Sequence, residues 1–155
     1  MSVYRRLFGE LRLAVPMLPP SVNRYVRHTR SGAHYRSSEA LRWEAAVAIA
    51  TQGNDARAWR DLLRGLGPSQ TRWLCWEVYV EYTIGPGSRG DVDNRGKCVL
   101  DALQAFGMIH TDDRVLGLVQ RKERGSSDGT MVIVSQSHEA TTLAWARRRP
   151  SRGKP

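Results

Sequence analysis

Several things are scarce in this sequence, and each scarcity excludes something. Two cysteines are too few for a disulfide framework, and Cys75 and Cys98 fall in segments that read as a core strand and a core helix, where a small apolar residue suffices. No run of 18 apolar residues occurs, and the Arg5-Arg6 pair is not followed by a long apolar stretch. Neither a membrane span nor a signal peptide is expected, and the chain reads as cytoplasmic. Lysine is rare: 21 of the 24 cationic side chains are arginine. Carboxylates are in deficit at 15, which leaves a net charge of +9 and a pI near 10.4. Guanidinium forks bind phosphate oxygens bidentately and stack on bases, so a polyanionic partner is the first functional expectation.

What is present suits one ordinary domain. The 155 residues, 41% hydrophobic and 25% charged, lie in the globular range and are enough for a single core. Residues 147–155 (RRRPSRGKP) hold five cations, two prolines and no apolar side chain, and are expected to form a disordered basic tail. Residues 1–146 then carry only +4 and form the folded body.

Hydrophobic periodicity gives the elements. Residues 10–15 alternate with Leu11, Leu13 and Val15 on one face, a half-buried strand stopped by Pro16 and Pro19-Pro20. The stretch 21–42, rich in Arg, His and Tyr and broken by Ser31-Gly32, reads as a loop. Ser37 or Ser38 can cap a helix to about Gly53, and Asp55 a second one bearing Trp59, Leu62 and Leu63 up to Gly65. Residues 72–84 alternate strongly, as a central strand packed on helices does. The loop GPGSRG (85–90) leads to Asp91 and Asp93, either able to cap a helix to about Phe106 with Gly107 just beyond. Residues 115–122 and 130–135 read as two strands of a hairpin turning at 126–129. The fold expected is α+β, a small mixed sheet packed with helices.

Five of the 15 carboxylates crowd into residues 91–113 of a basic protein. Hard oxygen ligands of this kind hold Mg²⁺ while leaving positions for water and phosphate. Asp91-x-Asp93 at a loop-to-helix junction, joined by Asp113 at a strand start, can form such a site. The competing account is structural: Asp91 or Asp93 as a helix cap, and Asp112-Asp113 as an ordinary turn. Lys97 likewise either reaches a phosphate or pairs with Asp93 and Asp101 at helical spacing. The four histidines have no spacing that defines a zinc site.

Taken in order, PPSVNRYVRH (19–28), DVDNRGKCVLDAL (91–103), Gly107 and Asp112-Asp113 resemble the RusA family of Holliday junction resolvases, small endodeoxyribonucleases common in phages and prophages. The resemblance extends over about residues 11–135, and its most specific part is the run D-x-D-N-x-x-K-x-x-x-D-A-L followed by an acidic pair. It implies a homodimer that resolves four-way junctions or other branched DNA by paired nicks, in DNA recombination and repair, within a bacterial or phage-infected host cell. It implies that Asp91, Asp93 and Asp113 bind Mg²⁺ or Mn²⁺ and that Lys97 is catalytic beside them. The segment MIHT before the acidic pair is one residue longer than in the family segment compared, so Asp112 can take the part of Asp113. Asn23, Arg24, Arg27, Arg30, Arg36 and Arg89 become candidate DNA contacts, with Tyr25 as a stacking wedge at the branch point. Residues 54–70 and the tail depart from the family pattern.

Two rivals belong to other classes. A branched-DNA-binding protein of the same fold, without catalysis, would have no use for the aspartates. A haloacid-dehalogenase-like phosphatase also uses Asp-x-Asp after a strand, but its first Asp sits at the strand end and is followed by Thr or Val. Here a six-residue spacer intervenes and Asn94 follows.

The tail makes a first prediction. Deleting residues 147–155 should lower DNA affinity and flatten its salt dependence, by a slope of about 0.9 for each phosphate the tail neutralises, while the body stays folded. Binding isotherms across a salt series check this; an unchanged slope would remove the tail from DNA binding.

Overall fold

In a computed structural model of the protein, residues 8–71, 74–88 and 94–137 are described. Their elements run β1 (Glu10–Val15), α1 (Val22–Tyr25), β2 (Val26–His28), β3 (His34–Arg36), α2 (Ser38–Ala50), α3 (Asn54–Gly65), α4 (Pro68–Thr71), β4 (Trp76–Ile84), α5 (Gly96–Ala105), a 3₁₀ turn (Asp112–Arg114), β5 (Val115–Arg124) and β6 (Gly129–Gln136). The class is α+β, as the periodicity predicts. A four-stranded sheet has the order β1-β6-β4-β5, and β2-β3 form a separate two-stranded ribbon.

Alternation places one side of β1, β4 and β6 in the core. Cross-strand register aligns Leu11, Val134 and Val78, then Leu13, Val132 and Val80, then Val15, Thr130 and Tyr82, all buried. The helices supply the matching apolar faces: Trp43 and Val47 from α2, Trp59 and Leu63 from α3, Val99, Ala102 and Leu103 from α5. At one end Phe8, Trp59 and Trp76 meet with ring centroids 4.7–5.6 Å apart. Burial of each such side chain contributes about 1.5–3 kcal/mol, so this shared face is the main source of stability. Both cysteines are buried, and neither is in a disulfide.

The expected hairpin is not formed. β5 runs parallel to β4 and β6 antiparallel to it, so the two strands flank β4 rather than each other. The turn residues 125–128 cross the end of β4, and the Gly125 N–H donates to the Ile84 carbonyl at 3.1 Å. A local turn signal reads the same whether the strands it joins are neighbours or straddle a third. Two caps also differ from expectation. α5 begins at Gly96 with Arg95 at its N-cap, so neither Asp91 nor Asp93 occupies that position. Gly53, not Asp55, precedes α3, and Asp55 lies in its first turn, where the helix dipole favours a carboxylate. Ser37 does cap α2, accepting the Ala40 N–H at 3.1 Å, and Gly107 follows α5 at φ 72°.

The segment 54–70 has a structural role that its composition did not disclose. The Trp59 indole N–H donates to the Met108 carbonyl at 2.8 Å. Arg60 donates to the carbonyls of Phe106 and Thr51, both at 3.0 Å, tying together the C-terminal ends of α5 and α2. Arg60→Ala should therefore destabilise the fold by about 1–3 kcal/mol, because two helix-end carbonyls lose their partner. The exposed Arg57→Ala on the same helix should cost within about 0.5 kcal/mol. Urea unfolding of the two variants checks the difference.

Candidate active site on the crossover between β4 and β5

The parallel pairing of β4 with β5 requires the chain to travel back across the sheet between them, and α5 lies on that crossover. Its first stretch leaves β4 at Gly85. The Asp128 carboxylate, on the turn that crosses the end of β4, accepts the Gly85 N–H at 2.8 Å and the Ser88 hydroxyl at 2.6 Å. The Ser88 hydrogen bond, with that of Gly85, holds Asp128 below the usual carboxylate range. Asp91 and Asp93, with Arg89, lie outside the described residues, but the chain is fixed again directly after them. The Val22 N–H donates to the Asn94 carbonyl at 3.0 Å, and the Arg95 guanidinium donates to the Pro19 carbonyl.

α5 then packs close on β5. A side chain at Gly96 would meet the Gln120 amide at 2.8 Å and the Leu118 side chain at 3.0 Å, so glycine permits the approach. Gln120 accepts the Tyr82 hydroxyl at 2.8 Å beneath it. Lys97 is 61% exposed and bonds Asp101 at 3.0 Å, the helical pairing the spacing allows. That hydrogen bond and the Asp101 charge, with Asp112 adding a smaller effect, raise the Lys97 pKa and keep it an ammonium. Asp112 is placed by its own N–H, which donates to Gln104 of α5 at 3.1 Å, and the Thr111 hydroxyl donates to the Asp113 carboxylate. The crossover thus gathers Lys97, Asp101 and Asp112 into one electrostatic neighbourhood, with Asp113 next in the 3₁₀ turn. Nearby, burial and then the Arg114 charge lower the His110 pKa.

These donors are carboxylate oxygens on exposed or half-exposed residues, chemistry that suits a hard divalent cation. Among the described residues no group of three or more His, Cys, Asp or Glu side chains lies together closely enough to hold a metal ion.

The basic segment is more ordered than the expected loop. Asn23 and Arg24 lie on α1, and Arg24 approaches Glu39 of α2 at 3.8 Å. Arg27 sits in β2, Arg30 in the turn of the ribbon and Arg36 at the end of β3. Glu44 of α2 accepts the Tyr25 hydroxyl and the Arg36 guanidinium, each at 2.6 Å. Burial, then the Glu44 hydrogen bond, push the Tyr25 pKa well up. Tyr25 is therefore an anchor between α1 and α2. Glu44 and Asp128 were not singled out from sequence, and only the turn signal Ser31-Gly32 pointed toward the ribbon.

In sequence the acidic run falls on this crossover, and Lys97 stands on its helix. Residues 16–135 match the family described as endodeoxyribonuclease RusA, and the chain belongs to that family. No curated protein matches it in sequence.

The Asp128 bridge makes a prediction. Its pKa is lowered by folding, so its contribution is present above the ordinary carboxylate pKa of about 3.9 and is lost as pH falls through the lowered value. Asp128→Asn should lower stability near neutral pH, and the gap to the unaltered protein should close in acid. Thermal unfolding across a pH series measures it; a gap that widens in acid would contradict the assignment.

Proposed function

We propose that the chain is a metal-dependent endodeoxyribonuclease that acts as a homodimer on four-way junctions or other branched DNA, making paired symmetric nicks in recombination and repair. The observation that carries this reading is the family match over residues 16–135, supported by Lys97 on α5 and by Asp112 held to α5 through Gln104, the helix beginning three residues after Asp93 in sequence. Asp91, Asp93 and Asp113 would hold Mg²⁺ or Mn²⁺, with Asp112 as the alternative to Asp113. When bound, the ion supplies positive charge for the attack of water on the scissile phosphate. Lys97, kept charged by Asp101 and Asp112, neutralises charge that builds on the phosphate oxygens. Asn23, Arg24, Arg27, Arg30, Arg36 and Arg89 form the DNA-contacting set, positioning the backbone rather than reading sequence, while Tyr25, engaged by Glu44, supports them instead of acting as a stacking wedge. One chain carries one such acidic run, and a junction has near two-fold symmetry, so two chains are needed to cut two opposed strands. The setting is the cytoplasm of a bacterial or phage-infected host cell.

Incubation with labelled four-way junctions, Y-forks and linear duplex, with Mg²⁺ or with EDTA, tests the proposal. Cleavage should require the ion, while binding should not. Asp91→Asn and Asp93→Asn should each abolish nicking and retain or tighten junction binding, because each removes a negative charge facing the backbone. Nicking undiminished in EDTA would overturn the metal mechanism, and loss of folding in both variants would favour a structural role for the aspartates.

A further inference from the structure

We propose that the β2–β3 ribbon is the element that recognises the branch point, with Tyr35 stacking on bases left unpaired there; this rests on the branched-DNA reading above. Tyr35 is 54% exposed and is the one exposed aromatic among the described residues. The other tyrosines among the described residues are engaged: Tyr25 with Glu44, Tyr79 with Glu81 at 3.0 Å, Tyr82 with Gln120. A free ring on a two-stranded ribbon offers a flat apolar face that every base can stack on, whatever its identity.

The ribbon is built to hold that ring in place. At its tip the Thr29 N–H donates to the Ala33 carbonyl at 2.9 Å, the Ala33 N–H to the Thr29 hydroxyl at 3.0 Å, and the Gly32 N–H to the Thr29 carbonyl at 3.0 Å. Gly32 has φ 82°, a left-handed turn conformation that few other residues adopt readily. At its base, Ser37 N–H donates to the Tyr25 carbonyl at 3.0 Å, and Glu44 clamps Tyr25 and Arg36 together. A stiff support limits the entropy lost when the ring is engaged.

Position and charge select the occupant. α1, which runs directly into β2, is hydrogen-bonded through Val22 to Asn94, the residue after Asp93. The chain just past the acidic run, at Asn94, is thus tied to the helix that leads into the ribbon. Residues 22–38 of the sequence hold Arg24, Arg27, Arg30 and Arg36 and no carboxylate, and the two carboxylates that reach them from α2, Glu39 and Glu44, leave the cations in excess. Such a surface attracts a polyanion and repels a basic partner. Duplex DNA keeps its bases stacked inside, so an exposed ring gains a partner only where strands exchange.

The test uses the full-length protein in EDTA, so that DNA is bound and not cut. Affinity is measured for a four-way junction and for linear duplex, and a 2-aminopurine placed at the branch point reports unstacking by its fluorescence. Tyr35→Ala should weaken junction binding about tenfold, leave duplex affinity unchanged and remove the 2-aminopurine response. Tyr35→Phe should restore both, and Arg30→Ala should weaken junction and duplex alike. A Tyr35→Ala protein that keeps its junction preference and the fluorescence change would overturn the proposal, as would equal loss on both DNAs. If the unaltered protein shows no junction preference, it is the branched-DNA reading that fails.

Discussion

The parallel pairing of β4 with β5 is the constraint on which the rest of this structure depends. Antiparallel neighbours can be joined by a tight turn, but parallel neighbours need a long return path. Here that path is residues 85–114, and it holds every candidate catalytic group: Asp91, Asp93, Lys97, Asp112 and Asp113. The sheet thus does more than provide a core. It sets where the crossover leaves, at Gly85, and where it rejoins, at Val115.

A crossover carrying charge needs fixing, and the chain fixes it from several sides. Asp128, from the turn crossing the end of β4, holds its departure at Gly85 and Ser88. Val22 and Arg95 bind the stretch after Asp93 to the segment leading into α1. Arg60 and Trp59 of α3 hold its far end at Phe106 and Met108. These contacts come from parts of the sequence far from the site, so rigidity at the site is distributed over the fold. α1, which carries the Val22 anchor, runs directly into the ribbon that carries Tyr35.

Much of this was legible in the sequence. β1 matches residues 10–15 because Leu11, Leu13 and Val15 alternate cleanly, and β4 and the end of α5 at Gly107 follow from equally local patterns. Family membership was legible because its signature is a run of fixed spacing. Sequence reasoning failed where a partner is remote. The β5–β6 turn has the same residues whether it closes a hairpin or bridges β4. Glu44 and Asp128 look like surface carboxylates until the fold brings Tyr25, Arg36, Gly85 and Ser88 to them. Arg60 reads as one more cation in a basic chain, and its role appears only with the two helix ends it joins.

The central claim is that the acidic groups of the crossover form one cation site. Manganese binding, followed by the loss of the free-ion paramagnetic resonance signal as the protein is titrated, tests it without reference to nuclease activity. The account predicts that the unaltered protein takes up Mn²⁺ and that Asp91→Asn, Asp93→Asn and Asp113→Asn each weaken uptake at least about tenfold, equivalent to about 1.4 kcal/mol or more. Uptake of Mn²⁺ that is unchanged in all three variants would contradict it.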